Sequence, residues 1–576
     1  MGRVGQRVPR DVPGILAEFE AKSTWMWASR VPGLTLTRQG GRGRFGDMPR
    51  SPRPSQDRCS GGLWAAARLT LALGVVLLSS RVGAAERLGY HEVRTDAAGK
   101  IIPWYGRNPA EAYDHIVRQL WNFWITMRNC PNGVPYYLQH QVWKPGEDDP
   151  RGLGGDQINM ALSSWNLLYG YLGDPAVKAN MRLIADRWME HGLAPEGEPW
   201  GGLPYPYNME AHSGRYDGDM RAGLGFLQPD KAASFGAELI MLYKMTGERK
   251  YLERAIRIAD TLARKVKPGD EANSPWPFRV NSRTGEVPGE RNDHDHLVYR
   301  ASYTTNWTGA LRLFDGLVAL NEGDIGKYRD TSRLVTAWLK AYPLRNNRWG
   351  PFFEDVSTKD YSDTEINADT LAFYILEHPG WDPEGKARAR GILDWSYRTF
   401  ANNEAARWGV VVINEQTAYT VPGNSHTSRH ASVELLYAEK TGDGSARDAA
   451  RRQLAWASYW VDEDGKNQYP RDDNWLTDGY GDFVRHYLRA MAADPELSPG
   501  TQDHLLRTTS VVRSITYGKT QIAYGKFDPV SDEELKLGAS TPTGIQGGTM
   551  RWDPVTRVLR VAARAERVVI SVTPRT

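Results

Sequence analysis

Two patterns of apolar and polar residues alternate along the chain between about residues 109 and 494. In the first pattern, apolar side chains occur almost all round a helix, as in the run GDQINMALSSWNLLYGYL at 155–172. A helix with apolar residues on every side must be buried. The pattern predicts six buried helices: Gly155–Leu172, Asp230–Met245, Leu297–Leu320, Thr364–Leu376, His426–Tyr437 and Gly479–Ala492.

In the second pattern, an apolar stripe with helical spacing lies opposite a charged face. Such helices pack one side on a core and expose the other side to water. Asn108, Asp174 and Asp382 each precede a proline, which predicts a side-chain cap followed by proline at the first helical position. The second pattern predicts six amphipathic helices: Pro109–Met127, Pro175–His191, Arg249–Lys265, Lys327–Tyr342, Pro383–Phe400 and Ser445–Trp460.

Because the two kinds of helix alternate, they form helical hairpins. Short turns such as TGERKYL at 246–252 and TGDGSARD at 441–448 join a buried helix to the amphipathic helix that follows it. The last buried helix has no amphipathic partner after it, and the first amphipathic helix has no buried partner before it. Pairing these two helices gives a sixth hairpin and closes a ring of repeats.

This ring resembles the (α/α)6 toroid of the six-hairpin glycosidase superfamily over about residues 105–500. The resemblance lies in the number of helices, the repeated turn of Thr, Gly and an acidic residue, and the loops rich in Trp and Tyr. It implies a mainly α fold built as a toroid of six helical hairpins. It does not imply one reaction, because one fold hosts many functions.

The C-terminal part of the chain has a different pattern. The runs SITYG, QIAYGKF, GTMRW and VLRVAARAERVVISV are rich in β-branched or aromatic residues and are separated by Gly, Pro and Asp. Runs of this kind predict short strands joined by turns. We therefore expect a small antiparallel β domain at 509–576, after a toroid domain at 86–508.

The first 85 residues resemble neither pattern. Residues 48–85 combine several arginines, the apolar run LTLALGVVLL at 69–78 and small residues at 83–85, which is typical of a secretory signal peptide. Residues 1–47 are interpreted as an extension upstream of the true start, and a cytoplasmic tail with a signal anchor is the alternative. We expect a secreted or periplasmic protein without stable membrane insertion after signal cleavage.

Removal of this segment changes the charge of the protein. The whole chain carries +3, whereas the first 85 residues hold 13 Lys and Arg against 5 Asp and Glu, so the rest carries −5. A surface of that sign gives no electrostatic reason to expect a nucleic acid partner. No cofactor and no metal site is predicted, because the run DHDH at 293–296 lacks a third ligand at a known spacing.

The candidate chemistry lies in long loops that lead into the buried helices and reach one end of the ring. Long loops in compact folds are usually functional. Because aromatic rings stack on sugars and carboxylates bind hydroxyl groups, the expected partner is a poly- or oligosaccharide substrate. The expected substrate-binding residues are Trp200, Tyr207, His296, Asn306, Arg429, Trp475 and His486.

The reaction expected first is hydrolysis of a glycosidic bond. A glycoside hydrolase needs one protonated and one ionised carboxyl group. Glu210 or Glu365 as acid, with Asp482 as base, would supply them. The expected catalytic residues, for this reaction and the alternative below, are Glu210, Tyr303, Glu365, His426 and Asp482.

The alternative reaction is β-elimination by a polysaccharide lyase. There a Tyr or His abstracts a proton from a uronic acid while a polar or basic side chain neutralises the carboxylate. Tyr303 with Asn306, or His426 with Arg429, is suitable for that division of roles. A glycan-binding protein without catalysis is the second alternative.

Three of the candidate residues also have structural interpretations. Glu210 is close in sequence to Arg215 and could pair with it. Glu365 could stabilise the N-terminal end of its helix through the helix dipole. His426 could be a buried, hydrogen-bonded side chain.

Overall fold

The computed structural model describes residues 86–127, 129–130, 132–139, 152–210, 213–291, 297–352, 361–470 and 478–575. They belong to one compact unit, Ala84–Thr576. Within this part of the chain, twelve helices of at least 12 residues are followed by eight strands of 6 to 8 residues. The expected signal segment lies outside the described residues.

The twelve helices alternate between the two predicted kinds: the even-numbered ones are the apolar helices and the odd-numbered ones are amphipathic. They are α1 (Pro109–Thr126), α2 (Gly155–Leu172), α3 (Pro175–His191), α4 (Pro229–Thr246), α5 (Arg249–Lys265), α6 (Thr308–Leu320), α7 (Ile325–Ala341), α8 (Glu365–Glu377), α9 (Gly385–Phe400), α10 (Asn424–Thr441), α11 (Arg447–Ser458) and α12 (Asp478–Ala493). Shorter helical turns lie in the connections at Tyr136–Leu138, Pro343–Asn346, Ala406–Trp408 and Pro495–Leu497.

The even-numbered helices form a closed inner ring. Each contacts the next in the order α2, α4, α6, α8, α10 and α12, and α12 contacts α2. Each also pairs with the amphipathic helix that follows it, and α12 returns to α1. The sixth hairpin therefore joins the two ends of the helical region, and the predicted (α/α)6 toroid is confirmed.

The difference between inner and outer helices follows from their sequences. Outer helix α5 buries Tyr251, Ala255, Ile258 and Leu262, which recur at helical spacing, while its charged residues point outward. Inner helix α2 buries residues on all its faces, including charged Asp156. Burial of polar side chains in the inner ring requires partners for them, because an unpaired buried polar group is costly.

Two of the three predicted helix caps are confirmed. The Asn108 side chain accepts a hydrogen bond from the Glu111 amide at 3.0 Å at the start of α1. Asp174 does the same for the Ala176 amide at 2.9 Å at the start of α3. In both helices the proline that follows the cap loses no helical hydrogen bond.

The third predicted cap is wrong, because Asp382 closes a turn before α9. Its carboxylate accepts from the Glu384 amide at 2.9 Å, and its carbonyl accepts from the Gly385 amide at 2.9 Å. The same side chain forms an ion pair with Arg388 at 2.8 Å. The helix therefore starts at Gly385, two residues later than predicted.

The predicted buried helix from Leu297 also starts too early. Leu297–Arg300 is a strand that pairs with Gly289–Arg291, and α6 begins only at Thr308. The Thr304 hydroxyl bonds the Pro351 carbonyl at 2.8 Å, which holds the intervening segment out of helical geometry. A run of aromatic and β-branched residues favours this extended conformation. The other predicted bounds lie within four residues of those observed.

The C-terminal domain consists of two antiparallel four-stranded sheets. Their orders are β1-β4-β7-β6 and β2-β3-β8-β5. The two sheets share buried positions, and the Tyr524 hydroxyl of β3 donates to Glu533 of β4 at 3.1 Å. The strands are β1 (Asp503–Thr508), β2 (Val512–Tyr517), β3 (Gln521–Lys526), β4 (Val530–Leu537), β5 (Ser540–Gln546), β6 (Gly548–Asp553), β7 (Val558–Arg564) and β8 (Arg567–Pro574).

The first strand begins six residues before the expected domain boundary at 509, because Asp503–Thr508 pairs with β4. This domain packs against the C-terminal ends of the inner helices. His504 stacks on Tyr171 with ring centroids 3.9 Å apart, and Arg507 makes two bonds of 2.7 and 2.6 Å to Glu439. The β domain therefore covers the end of the ring opposite the long loops.

The long loops lie at the N-terminal ends of the inner helices.

In the part of the chain that the structure describes, no helix is both long and apolar enough to cross a membrane. Short strands, two to four residues long, occur near the N-terminus and within the loops at Arg87–Leu88, His91–Glu92, Gly218–Asp219, Gly223–Leu224, Phe226–Leu227, Val280–Asn281, Gly289–Arg291, Leu297–Arg300, Ala401–Asn402 and Val412–Ile413.

Candidate functional site

Three neighbouring inner helices carry pairs of ionisable side chains near their N-terminal ends. Residues four apart lie on one face of a helix, so both members of each pair face the same way. None of the six side chains belongs to a residue more than 4% exposed. The pairs are Glu365 and Asp369 on α8, His426 and His430 on α10, and Asp482 and His486 on α12. Together with Arg429 and Arg485, they form what we call the central network.

Glu365 is the acceptor at the centre of this network. Its Oε2 lies 2.9 Å from Nδ1 of His426 and 2.6 Å from Nη1 of Arg429. Because a carboxylate only accepts, Nδ1 carries a proton and the lone pair of the neutral imidazole lies on Nε2. No described residue forms a hydrogen bond with that Nε2 atom. The pair therefore has the arrangement of a proton-transferring histidine held in one tautomer by a carboxylate.

Arg429 links the two acidic residues of the network. Its Nη2 pairs with Oδ2 of Asp482, and Asp482 also pairs with Arg485. Oδ1 of Asp482 lies 3.0 Å from Nε2 of His486. Each buried carboxylate thus has a cationic partner, as burial of a charge requires.

A second histidine and carboxylate pair lies one helical turn deeper. Nδ1 of His430 is 2.7 Å from Oδ2 of Asp369. Glu434, a further turn along α10, makes two bonds of 2.7 and 2.6 Å to Arg390 of α9. The network therefore continues from the centre of the ring toward the outer helices.

The charges in the network lower the pKa values of two of its carboxyl groups and raise the pKa of the third. Burial alone would raise the pKa of Glu365 and of Asp482, but the positive charge of Arg429 outweighs burial and lowers both. Burial raises the pKa of Asp369, and the negative charge of Glu365 raises it further. Two carboxyl groups in contact hold one proton between them more readily than none. Glu365 and Asp482 are thus ionised, and Asp369 retains its proton to a higher pH.

The pKa values of the three histidines shift in different directions. Burial would lower the pKa of His426, but the hydrogen bond and charge of Glu365 raise it above the ordinary 6.5. Burial is likewise outweighed at His430, where Asp369 raises the pKa to about 9. Burial dominates at His486 and lowers its pKa to about 3, despite the charge of Asp482. His426 is therefore the histidine whose protonation changes closest to the ordinary range.

A separate cluster lies at the N-terminal ends of α4 and α6. The Lys231 ammonium is 2.6 Å from Asp230, and it donates to the Phe352 carbonyl at 2.8 Å. Asn306 donates to the same Asp230 carboxylate at 2.8 Å. Asn306, an expected substrate-binding residue, thus holds a buried ion pair and lies outside the central network.

An apolar cluster lies between these two charged clusters. Met160 of α2 and Ile366 of α8 come from opposite sides of the inner ring, and Tyr207 and Phe352 pack with them. Tyr207, which was expected to bind substrate, belongs to this apolar cluster together with Ile366, the residue that follows Glu365 in the sequence. The cluster fills part of the ring at the end where the long loops lie.

Of the expected site residues, the structure brings five together: Glu365, His426, Arg429, Asp482 and His486. Besides Asn306 and Tyr207, described above, it places three others elsewhere. Glu210 is exposed in its loop. The Tyr303 hydroxyl donates to the Arg348 carbonyl at 3.0 Å beside Trp338 of outer helix α7, and burial raises its pKa. Trp200 lies under Lys265 of outer helix α5. His296 and Trp475 lie outside the described residues.

Asp369, His430 and the pair of Asp230 with Lys231 were not among the predicted site residues. One signal could have found Asp369 and His430. Each of the three apolar helices α8, α10 and α12 carries two ionisable residues with a spacing of four, which is unusual for a helix buried on all sides. Among the described residues, no group of three or more His, Cys, Asp or Glu is arranged to hold a metal ion.

Comparisons with known proteins find only distant structural similarities. No family model matches this chain, and no curated protein matches it. A cellobiose 2-epimerase from Spirochaeta thermophila is 12% identical with a TM-score of 0.49, and the alignment covers 68% of this chain and 97% of that one. The architecture of this chain is an (α/α)6 toroid. It is established by the pairing of the twelve helices described above.

Two further solved structures are similar at the same level. A family 76 glycoside hydrolase from Bacteroides thetaiotaomicron is 13% identical with a TM-score of 0.43, over 67% of this chain and 78% of that one. A polysaccharide lyase is 12% identical with a TM-score of 0.41, over 68% of this chain and 97% of that one. Identities this low transfer no reaction and no residue role to this chain.

Proposed function

We propose that the protein is a carbohydrate-active enzyme that cleaves glycosidic bonds in a poly- or oligosaccharide. The observation that carries this proposal is the pair formed by Glu365 and His426, at the end of the ring where the long loops lie. The pair provides an oriented imidazole whose Nε2 is not bonded to any described residue. The Trp- and Tyr-rich loops and the toroid architecture support a saccharide substrate.

The reaction that this geometry favours is β-elimination in a uronic acid polymer. His426 would take the proton from C5, the electrons of that bond would form a double bond between C4 and C5, and the bond from C4 to the leaving oxygen would break. The leaving oxygen takes up a proton. Glu365 and Asp482 are poor candidates for a glycosidase acid, because their ion pairs with Arg429 keep them ionised.

Hydrolysis is the second candidate, and it has its own supporting observation. Two carboxyl groups near the N-terminal end of α8 hold their protons to an unusually high pH. Burial raises the pKa of Asp369, and burial raises that of Asp363 to about 6 although the Trp349 amide donates to it at 2.6 Å. Either group could donate a proton to a leaving oxygen if substrate reaches it.

A polysaccharide panel distinguishes the two reactions. The purified protein is incubated with neutral polysaccharides and with uronic acid polymers, and both reducing ends and ultraviolet absorbance are recorded. Elimination produces new reducing ends together with absorbance from the conjugated double bond, only with uronic acid polymers. Reducing ends without absorbance indicate hydrolysis. Neither signal on any polymer contradicts the proposed enzyme activity and leaves glycan binding as the alternative.

The pH dependence tests the role of His426 directly. A general base works only in its neutral form, so kcat/KM should rise with pH through an apparent pKa above 6.5. In the Glu365→Gln variant, this apparent pKa should fall, because the negative charge that raises it is removed. A rate that falls through the same pH range would mean that His426 acts as an acid.

We also propose that the protein is exported after cleavage of a signal peptide at 48–85, which leaves a toroid domain followed by a β domain whose first strand begins at Asp503. Sequencing the N-terminus of the exported protein tests this. A start near Glu86 supports it, and retention of Met1 contradicts it.

A further inference from the structure

The inner ring encloses a cavity on the side of the central network that faces the β domain. Its volume is about 610 Å³, which is within the usual range of roughly 300 to 1,000 Å³ for small-molecule sites. Residues from all six inner helices line it, and Leu505–Val512 of the β domain lines its outer end. The cavity thus lies between two domains, which is a frequent place for ligands.

Cationic side chains outnumber anionic ones in the lining. Five Lys or Arg residues reach it, against the three acidic residues Glu238, Asp315 and Glu377. The three acids already have partners: Glu238 pairs with Arg312 at 2.8 Å, Asp315 accepts from Ser332 at 2.8 Å, and Glu377 pairs with Lys440 at 3.2 Å. The acidic groups offset three of the five positive charges, so the lining carries a net excess of two positive charges.

Among the arginines that line the cavity, Arg489 is the one that forms no ion pair with a described residue. It lies on α12, and its guanidinium packs over the ring of Phe373 with Cζ 3.9 Å from the centroid. Among the described residues, no carboxylate lies within 4.0 Å of its nitrogens. The other arginines differ: Arg312 pairs with Glu238, Arg485 with Asp482, and Arg507 with Glu439.

Nearby positive charges disfavour the charged form of Arg489 when no ligand is bound. Burial lowers the pKa of Arg489 to about 9, and repulsion from Arg485 and Arg312 adds to the shift, whereas attraction to Asp482 and Glu377 opposes it. Arg485 is on the same helix one turn away, whereas Arg312 comes from α6 on the opposite side of the ring. A partly buried cation among like charges, such as Arg489, is stabilised by an anion placed between them.

The rest of the lining is suited to an apolar body. Met241, Leu436, Leu488 and Leu505 contribute side chains to the walls. A single negative charge is favoured over a multiply charged group, because Glu238 and Asp315 also reach the cavity. A guanidinium and a carboxylate match in geometry and can form two parallel hydrogen bonds.

We propose that this cavity binds an organic carboxylate, whose head pairs with Arg489 and whose apolar body lies along Phe373 and the neighbouring leucines. The site is separate from the saccharide site, from which Arg485 and Asp482 divide it. The carboxylate is a reversibly bound ligand. Its binding does not depend on the proposed enzyme activity.

Hexanoate is a suitable probe, with hexan-1-ol as the uncharged control of similar size. Binding to the purified full-length chain is measured by titration calorimetry, and the melting temperature is measured with and without each compound. Saturable hexanoate binding should raise Tm, because a ligand that binds only the folded state stabilises it. Hexan-1-ol should bind at least tenfold more weakly. Equal binding of both compounds, or no saturable hexanoate binding, overturns the proposal.

Two substitutions at one position provide the matched test. Arg489→Met keeps an unbranched side chain over Phe373 but removes the charge, and it should weaken hexanoate binding at least tenfold. Arg489→Lys keeps the charge and should retain most of the affinity. Unchanged affinity in Arg489→Met contradicts the assignment of Arg489.

The ligand-free melting temperature gives an independent measurement. Removing a partly buried charge that has no ion-pair partner among the described residues should raise Tm of Arg489→Met above that of the unsubstituted protein. A lower Tm in the ligand-free variant would mean that Arg489 has a stabilising partner within the protein, and it would overturn the proposal.

Discussion

The loop end of the inner ring has two halves that are equally buried but chemically different. The half formed by α8, α10 and α12 contains three histidines, each beside a carboxylate. The half formed by α2, α4 and α6 contains Asp230 and Lys231, supported by Asn306, and no histidine in its buried cluster. We call these the histidine half and the lysine half.

The two halves distinguish buried charges that only stabilise the fold from buried charges that can also take part in a reaction. Both halves meet the same requirement, which is that each buried charge has a partner. Only histidine changes its charge between pH 5 and 8 without a large shift, so only the histidine half can exchange protons with a substrate near neutral pH. The lysine half is a fixed ion pair that holds the segment Trp349–Phe352 against α4, through the bond from Lys231 to the Phe352 carbonyl.

The largest expected effect is on activity. His426→Gln keeps a buried polar side chain and removes the imidazole, and kcat/KM should fall by about 10² to 10⁴, the usual contribution of general acid–base catalysis. Circular dichroism and Tm check that the variant folds. Tyr303→Phe is the comparison, because Tyr303 is the other expected base. Full activity in His426→Gln with loss in Tyr303→Phe would place the proton transfer outside the histidine half.

Removal of Arg429 should have the largest effect on stability. Arg429→Met leaves the carboxylates of Glu365 and Asp482 without their shared cation, and breaking a buried pair costs about 3 to 5 kcal/mol. Urea unfolding measures this free energy. Arg333→Met removes an ion pair with Asp330 that is about three-quarters exposed, and it should change stability by less than about 0.5 kcal/mol. Equal effects of the two substitutions would contradict the role of Arg429 as a buried link.

Substitutions in the lysine half should lower the stability of the protein but leave the pH dependence of its activity unchanged. Lys231→Met leaves Asp230 buried with Asn306 alone and should cost about 3 kcal/mol. The double variant with Asp230→Asn should recover most of the loss, because no unpaired charge remains. The pH dependence of kcat/KM should be the same in the single variant, the double variant and the unsubstituted protein. A shifted apparent pKa would mean that the two halves are electrostatically linked.

The smallest expected effect concerns stability at alkaline pH. The pKa of His430 is about 9 in the folded protein and about 6.5 when unfolded, so the folded state holds the proton more tightly. That contribution is fully present below pH 6.5 and is lost as pH rises through 9. The free energy of unfolding should therefore fall by roughly 1 to 3 kcal/mol between pH 6.5 and 9.5.

His430→Gln is the control for this pH dependence. In that variant the part of the decrease due to His430 should disappear, whereas Asp369 and the surface groups remain. An equally steep decrease in the variant would show that His430 is not the group responsible.

Much of the fold could be predicted because it depends on the period of apolar residues. Whether a helix is buried on one side or on all sides can be read from α5 and α2 alone. The short segments were harder. Leu297–Arg300 is as apolar as a helix end, and only its pairing with Gly289–Arg291 makes it a strand. Asp382 precedes a proline as Asp174 does, but contacts with Arg388 and Lys340 decide that it closes a turn instead.

The candidate site was predictable in part. Glu365, His426 and Asp482 lie at or near the beginnings of apolar helices, where ionisable residues are conspicuous. Glu210 and Trp200 have the same chemistry in the sequence, but a long loop gives no period from which to infer where a side chain lies. Their positions depend on tertiary contacts that the sequence of the loop does not specify.

The sequence by itself determined the alternation of twelve helices, the closure of the ring and the β character of the C-terminal region, because local periodicity and turn chemistry encode them. Only the tertiary structure decided which charges meet. Arg429 reaches both Glu365 and Asp482 because α8, α10 and α12 are neighbours in the ring, and Arg489 faces a cavity because six helices leave space at their common axis. Such pairings join residues more than 50 positions apart, and their energies depend on distance and burial, which no local pattern contains.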